Sequence, residues 1–270
     1  MRIIYEPRGR ALEYAPLAVS LYRGCSHGCT YCFVPDSTRT DRDDFMQPRA
    51  RKNALHLLEL DAIDMHTKHD PREVLLSFTT DPYQPLDEEM QLTRKAIEIM
   101  IQYGIHFTVL TKAGFAAVRD FDLLADHPDL CRFGTTLTLL GMKDSNLWEP
   151  TARSPANRIA ALIQAKRMGI PTWVSFEPVI YPEQTLSLIL DTLDIVNKKP
   201  GIVDEYRIGK FNHIDNPGVE RFLESIGYQY PTDEEWRKFV HDAKILLDEH
   251  GCRYIFKKDL QPYLRAAEVR

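Results

Sequence analysis

The chain lacks the positive excess that would hold duplex nucleic acid over a wide face: 34 Lys and Arg stand against 39 Asp and Glu, a net charge of −5. A broad phosphate-gripping surface is therefore not expected, although a local basic groove stays open. No stretch reaches the roughly 18 apolar residues that a membrane helix needs. The opening MRIIYEPRGRALEYAP has no apolar signal-peptide core, so the chain is expected to be soluble and cytoplasmic, with no membrane partner. Cysteine is scarce. There are five, an odd number with three of them crowded, which argues against a disulfide framework. The sequence has no second CxxC or HxxxH pair, no repeat of solenoid period and no low-complexity stretch. What remains is 44% hydrophobic and 27% charged over 270 residues, ordinary for one domain of barrel size with a small appendage.

The crowded cysteines are Cys25, Cys29 and Cys32, in GCSHGCTYCF. Offsets of four and three put side chains on one side of a helical turn, and a loop wrapped around a metal group needs similar convergence. Three thiolates suit three irons of a [4Fe–4S] cluster and leave the fourth iron open. Gly24 and Gly28 precede two of the three and let the backbone approach closely. Two blander readings are a Cys3His zinc knuckle and three unrelated buried thiols. A structural zinc site usually shows two close ligand pairs, which this chain does not have. His27, between the cysteines, reads as exposed loop polarity.

Strand-like and helix-like segments alternate through the chain. Strands are expected at 17–22, 74–80, 105–112, 132–140, 171–180 and 204–209. Helices are expected at 49–67, 88–103 (Gly104 as C-cap), 115–127, 154–169 (Ser154 as N-cap, Pro155 at the first turn) and 183–196. Six such units are the pattern of an α/β fold, a partial (βα)6 TIM-like barrel with parallel strands, in which function sits at the C-terminal strand ends. The Cys loop follows the first strand. Beyond about residue 215 the alternation stops, so residues 1–215 are expected to form the barrel. Residues 216–270 would be a C-terminal helical extension packed on it, with an amphipathic helix at 233–251 and a short strand at 252–257.

The Cys loop and the six units together resemble the radical SAM superfamily, and the spore photoproduct lyase-like branch in particular. SFTTDPYQPLD (77–87), LTKAGFAAVRDFDLL (110–124), EPTARSPANRIAAL (149–162), MGIPTWVSFEPVI (168–180) and IGKFNH (208–213) carry the likeness. The resemblance implies a [4Fe–4S] cluster and S-adenosylmethionine bound to its open iron. Reductive cleavage would then give a 5′-deoxyadenosyl radical that takes hydrogen from a substrate. It also implies an external electron donor of flavodoxin or ferredoxin type. The substrate stays open between a nucleic-acid lesion or nucleotide and a small molecule.

For the cofactor the resemblance implies Tyr31, Thr79, Thr80, Asp81, Lys112, Thr136, Glu149 and Arg158. Thr79, Thr80 and Asp81 end the second strand and suit an ammonium; the alternative is a turn stopped by Asp81-Pro82. Strand alternation sends Thr136 and Thr138 to one face, where a hydroxyl can reach a ribose, although Thr also favours strands for itself. Arg158 can fork onto a carboxylate, or can be a surface charge. Glu149 can accept from ribose hydroxyls, and Lys112 can face cofactor or substrate. Arg119 and Asp120 read equally as a structural ion pair. Weak candidates for the substrate step are Glu177, at a strand end, and the spare thiols: Cys131 near the barrel floor and Cys252 folded over the opening. The opposing reading is a non-catalytic protein that binds a cluster or zinc on a barrel scaffold.

Overall fold

The computed structural model describes residues 2–194 and 200–267. The sheet has eight strands in the order β1 (Ile4–Tyr5), β2 (Leu17–Val19), β5 (Val74–Leu76), β6 (Phe107–Thr111), β7 (Cys131–Thr136), β8 (Thr172–Val179), β9 (Glu205–Lys210) and β10 (Arg253–Phe256). From β2 to β10 every neighbouring pair is parallel, and β1 runs antiparallel to β2 at the edge. A separate two-stranded antiparallel sheet pairs β3 (Tyr22–Arg23) with β4 (Arg49–Ala50), and the Cys loop lies in the connection between them. The six expected strands are all present. The tail adds a seventh parallel strand, β10, so a division at residue 215 cuts through the sheet.

The side-chain period of two sorts the strands. Val74, Leu76, Phe107, Val109, Phe133, Val174, Phe176, Tyr206 and Ile208 join the apolar layer under the outer helices. Their alternates Ala18, Leu75 and Trp173 pack with Tyr14 in a smaller cluster on the other face. Trp173 needs Gly134 on β7, where an added Cβ would come within 2.3 Å of the indole. The indole N–H donates to the Val109 carbonyl at 3.1 Å. The barrel is open between its edge strands. The short turn Gly9–Glu13 lies against the β9–β10 side: the Arg207 guanidinium donates to the Glu13 and Tyr14 carbonyls, and Arg10 pairs with Asp259 at 2.7 Å.

Local chemistry explains where elements start and stop. Ser154 accepts from the Asn157 amide and precedes helix Pro155–Arg167. Thr232 and Glu235 form a capping box at the start of helix Asp233–Glu249. The helix expected at 88–103 is two helices, Pro85–Met90 and Leu92–Gln102, broken at Gln91 with φ 50°. The buried Asp87 carboxylate takes the Thr93 amide at 3.0 Å and so restarts the helix. The segment expected as helix from 49 begins at Ala54, because Arg49–Ala50 pairs with Tyr22–Arg23. At 114–127 a 3-10 turn, Gly114–Asp120, precedes helix Phe121–Asp126. The helix expected at 183–196 is Pro182–Thr192, and its last two expected residues lie outside the described ones.

Candidate active site at the mouth of the barrel

A cavity of about 580 Å³ opens at the C-terminal strand ends, and Cys25, Cys29 and Cys32 all line it. The loop that carries them is held from several sides. Gly24, at φ +79°, brings the chain so close to the 45–48 segment that an added Cβ would come within 2.5 Å of the Phe45 carbonyl. The same carbonyl accepts from the Cys25 amide at 2.8 Å. Gln84, fully buried, accepts from the Ser26 amide at 3.2 Å and donates to the Gly24 carbonyl at 3.3 Å. The Arg42 guanidinium donates to the carbonyls of Cys29 and Cys32, at 3.0 and 3.2 Å. The Thr30 amide donates to the Trp148 carbonyl at 2.9 Å. Gln84 and Arg42 carry no sequence signal, because their partners are backbone carbonyls and amides distant in the chain.

Burial pushes all three thiols up; Cys25, which also faces Asp81, is raised to about 12. As thiolates they need a compensating cation. Among the described residues, no three His, Cys, Asp or Glu side chains converge as a single-ion site. Cys25, Cys29 and Cys32, together on one loop at the cavity wall, are the residues that could hold a metal group there.

Ser77, Thr79, Thr80, Asp81, Lys112, Thr136 and Tyr31 line the same cavity. The hydroxyls of Ser77 and Thr80 are buried without a protein partner, so this wall has unused polar capacity for a bound molecule. Asp81 is more occupied than its sequence reading suggests. It accepts from the Tyr83 amide at 2.9 Å, the Thr111 hydroxyl at 2.6 Å and the Lys112 amide at 2.6 Å. It shapes the strand ends as much as it faces the cavity. His27 corrects its expectation outright: it is buried at 4% exposure, lines the cavity and faces Asp81 at 3.4 Å.

Glu149 and Arg158 stand behind the wall and do not line the cavity. Both are buried, and they pair with each other at 2.5 Å. The Arg158 guanidinium also donates to the Thr136 and Arg153 carbonyls and is fully buried off the cavity, not where it would fork onto a bound carboxylate. Glu149 also accepts from Tyr31 and, at 2.9 Å, from Thr138, so it holds the wall from behind and does not face the cavity. Burial pushes the Glu149 carboxyl up, but Arg158 and Lys112 outweigh it and leave it at about 2. Arg119 and Asp120 do pair, at 3.6 Å, within a wider ion network off the cavity: Arg119 also pairs with Asp87, and Asp120 with Arg94 at 3.2 Å.

The wall contributed by β8, β9 and the tail is dense in charge. Glu177 lines the cavity, accepts from Tyr14 at 2.5 Å and pairs with Arg10 at 3.2 Å and with Lys257. The Lys257 ammonium also lies 3.3 Å from the centre of the Tyr14 ring. Lys210, Asn212 and His213 from the IGKFNH stretch line the cavity as well, and His213 stacks on Phe33 with centroids 5.0 Å apart. Cys131 and Cys252 do not line it. Cys131 opens β7, its thiol on the His127 carbonyl at 3.2 Å. Cys252 directly precedes β10, whose start lies level with that of β9, so it belongs to the barrel floor and not over the opening.

A family model described as the Radical SAM superfamily matches residues 19–196. An uncharacterized protein of Acidianus two-tailed virus is 26% identical over 192 residues, covering 67% of this chain and 62% of that protein. One from Methanocaldococcus jannaschii is 22% identical over 247 residues, covering 91% of this chain and 88% of that one. The chain thus spans less than two thirds of the viral relative. Among solved structures, spore photoproduct lyase complexed with dinucleoside spore photoproduct aligns at a TM-score of 0.69 with 16% identity, covering 93% of this chain and 80% of that one. Streptococcus suis SuiB bound to S-adenosylmethionine aligns at 0.61 with 14% identity, covering 89% and 49%. At these identities the structural likeness speaks for the fold.

Proposed function

This chain belongs to the radical SAM superfamily, and on that premise we propose that Cys25, Cys29 and Cys32 hold a [4Fe–4S] cluster beside an S-adenosylmethionine site in the same cavity. The observation that carries this reading is the shared wall: three thiols and the unpartnered hydroxyls of Ser77 and Thr80 line one space. When bound, the two cofactors supply a 5′-deoxyadenosyl radical that takes a hydrogen atom from the substrate. The protein's own part is position and exclusion. Thr79, Thr80 and Ser77 offer oxygens to the methionine ammonium, Thr136 offers a hydroxyl, and Lys112 offers a cation to a carboxylate. His27 and Asp81 fix the loop and the strand end that carry these groups. Glu149 and Arg158 act through Tyr31 and the Thr136 carbonyl.

For the substrate we favour a nucleotide or nucleic-acid lesion. The Phe33–His213 stack offers a flat face, and Arg8 and Lys210 line the cavity with positive charge. A spore photoproduct lyase structure was solved with a dinucleoside spore photoproduct, and SuiB with a precursor peptide. Anaerobically purified protein should be brown and carry about four irons and four sulfides per chain. With dithionite and S-adenosylmethionine it should release 5′-deoxyadenosine, and Cys29→Ala should abolish both properties. A colourless protein with zinc, or cleavage that survives Cys29→Ala, would refute the cluster assignment. Dinucleotides and short oligonucleotides should raise 5′-deoxyadenosine release, whereas a response to peptides alone would reject the nucleotide reading.

A further inference from the structure

Beside the Cys loop lies a second cavity, of about 350 Å³, that shares only Val34, Thr79 and Thr80 with the first. Three arginines line it: Arg23, Arg49 and Arg51. Arg23 and Arg49 are direct register partners in the antiparallel β3–β4 pair. Like charges placed opposite each other destabilise a strand pair. Among the described residues none of the three is ion-paired with a carboxylate, and Arg51 donates to the Tyr22 carbonyl at 3.4 Å. Burial and the neighbouring Arg23 both push the Arg51 guanidinium down. Lys52 is exposed beside it, and Asp44 is the single acid in the lining. These arginines gather on the strand pair that closes the base of the Cys loop, in a chain whose net charge is −5.

The position of the pocket indicates that use. Gly24 lies in its lining, and the next residue is the ligand Cys25. The Phe45 carbonyl, which takes the Cys25 amide at 2.8 Å, comes from another lining residue. The larger cavity is the one proposed above for cofactor and substrate, and this pocket opens on another side of the same Cys loop.

We propose that the Arg23–Arg49–Arg51 pocket is the docking site for the one-electron carrier protein that reduces the cluster, and that this carrier presents an acidic rim around its redox centre. The proposal rests on the cluster reading of Cys25, Cys29 and Cys32. In the encounter the carrier is oxidised by one electron and the cluster reduced by one; no bond forms or breaks. The pocket's basic charge captures the carrier's acidic rim, an effect felt mainly in the association rate and weakened by salt.

The test compares two reductants on the holoenzyme, dithionite and reduced flavodoxin. The Arg23→Glu/Arg49→Glu variant should keep its iron content and its dithionite-driven 5′-deoxyadenosine release. Its flavodoxin-driven reduction should slow by about tenfold or more at low salt, with a flattened salt dependence. Arg23→Gln/Arg49→Gln, gentler on the strand pair, should slow it less, and Arg23→Lys/Arg49→Lys should restore most of the rate. Unchanged flavodoxin-driven reduction in the Glu variant would overturn the docking site while leaving the cluster reading intact. Loss of single-stranded oligonucleotide binding with flavodoxin kinetics unchanged would assign the pocket to phosphates and likewise overturn it. A parent enzyme that gives no cleavage even with dithionite would remove both readings.

Discussion

Glu149 takes the Arg158 guanidinium at 2.5 Å on one carboxylate oxygen, while its other oxygen accepts from Tyr31 and Thr138. Both partners of this ion pair are buried, directly behind the cavity wall. Removing one leaves the other charged and desolvated, which costs about 3–5 kcal/mol. Arg158→Met should therefore lower stability by that order in anaerobic denaturant titrations of the holoenzyme. Glu149→Gln/Arg158→Met should recover a large part of the loss. Additive single and double costs would show that the two side chains act independently.

Gln84 gives a prediction about the loop. Its amide is tied at both ends to the backbone around Cys25. Groups that orient ligands in this way typically cost 10–100-fold in metal affinity when removed. Gln84→Ala should speed iron loss to a chelator by about that factor while the global unfolding midpoint shifts little. Iron retention equal to the parent would mean that Arg42 and the Phe45 carbonyl suffice to hold the loop.

The barrel floor gives the pH prediction. Glu205 pairs with Arg207 at 2.7 Å and with Arg132 at 3.1 Å. Burial pushes its carboxyl up, but the two guanidiniums outweigh burial and hold it below the ordinary value. A carboxyl depressed on folding stabilises the protein above its unfolded pKa, about 4.3, and loses that contribution as pH falls through the folded value. The stability gap between parent and Glu205→Gln should be full at pH 7 and shrink on acidification below about pH 4. Urea titrations across that range measure it, and a gap that widens toward acid would contradict the assigned sign.

The legible part of this molecule was the part written in local pattern. Val74 and Leu76 against Leu75, or Phe133 against Gly134, follow a period of two and mark strands. The three cysteines line one cavity, a convergence that their spacing suggests. What stayed hidden depends on partners far apart in the chain. His27 looked like loop polarity because nothing nearby in sequence says that Asp81 waits 3.4 Å away. Arg158 looked like a cofactor fork because its real partner, Glu149, lies across a turn and buries it. The β3–β4 pairing carries no local signal because two-residue strands have no period and the Cys loop separates the partners. Cys252 was misplaced because the parallel pairing that sets it on the floor belongs to a strand more than 40 residues beyond β9.

The tail, finally, is structural for the mouth of the barrel. β10 pairs in parallel with β9 over four residues, and the Lys257 amide continues the ladder to the Ile208 carbonyl at 2.8 Å. The Lys210 ammonium lies 4.8–5.5 Å from the ring centres of Trp236, Tyr263 and Tyr230, all from the tail. Asp259 accepts from the Lys210 amide at 2.9 Å and from the Asn212 side chain at 3.0 Å. A chain cut after residue 215 would expose the β9 edge, a ready template for pairing with another chain, and take Lys257 from the cavity wall, leaving Glu177 without that partner. It should be recovered mainly as aggregate, with the full chain soluble under the same conditions. A monodisperse fragment of residues 1–215 that retains iron in size-exclusion chromatography would instead establish the tail as a separable appendage.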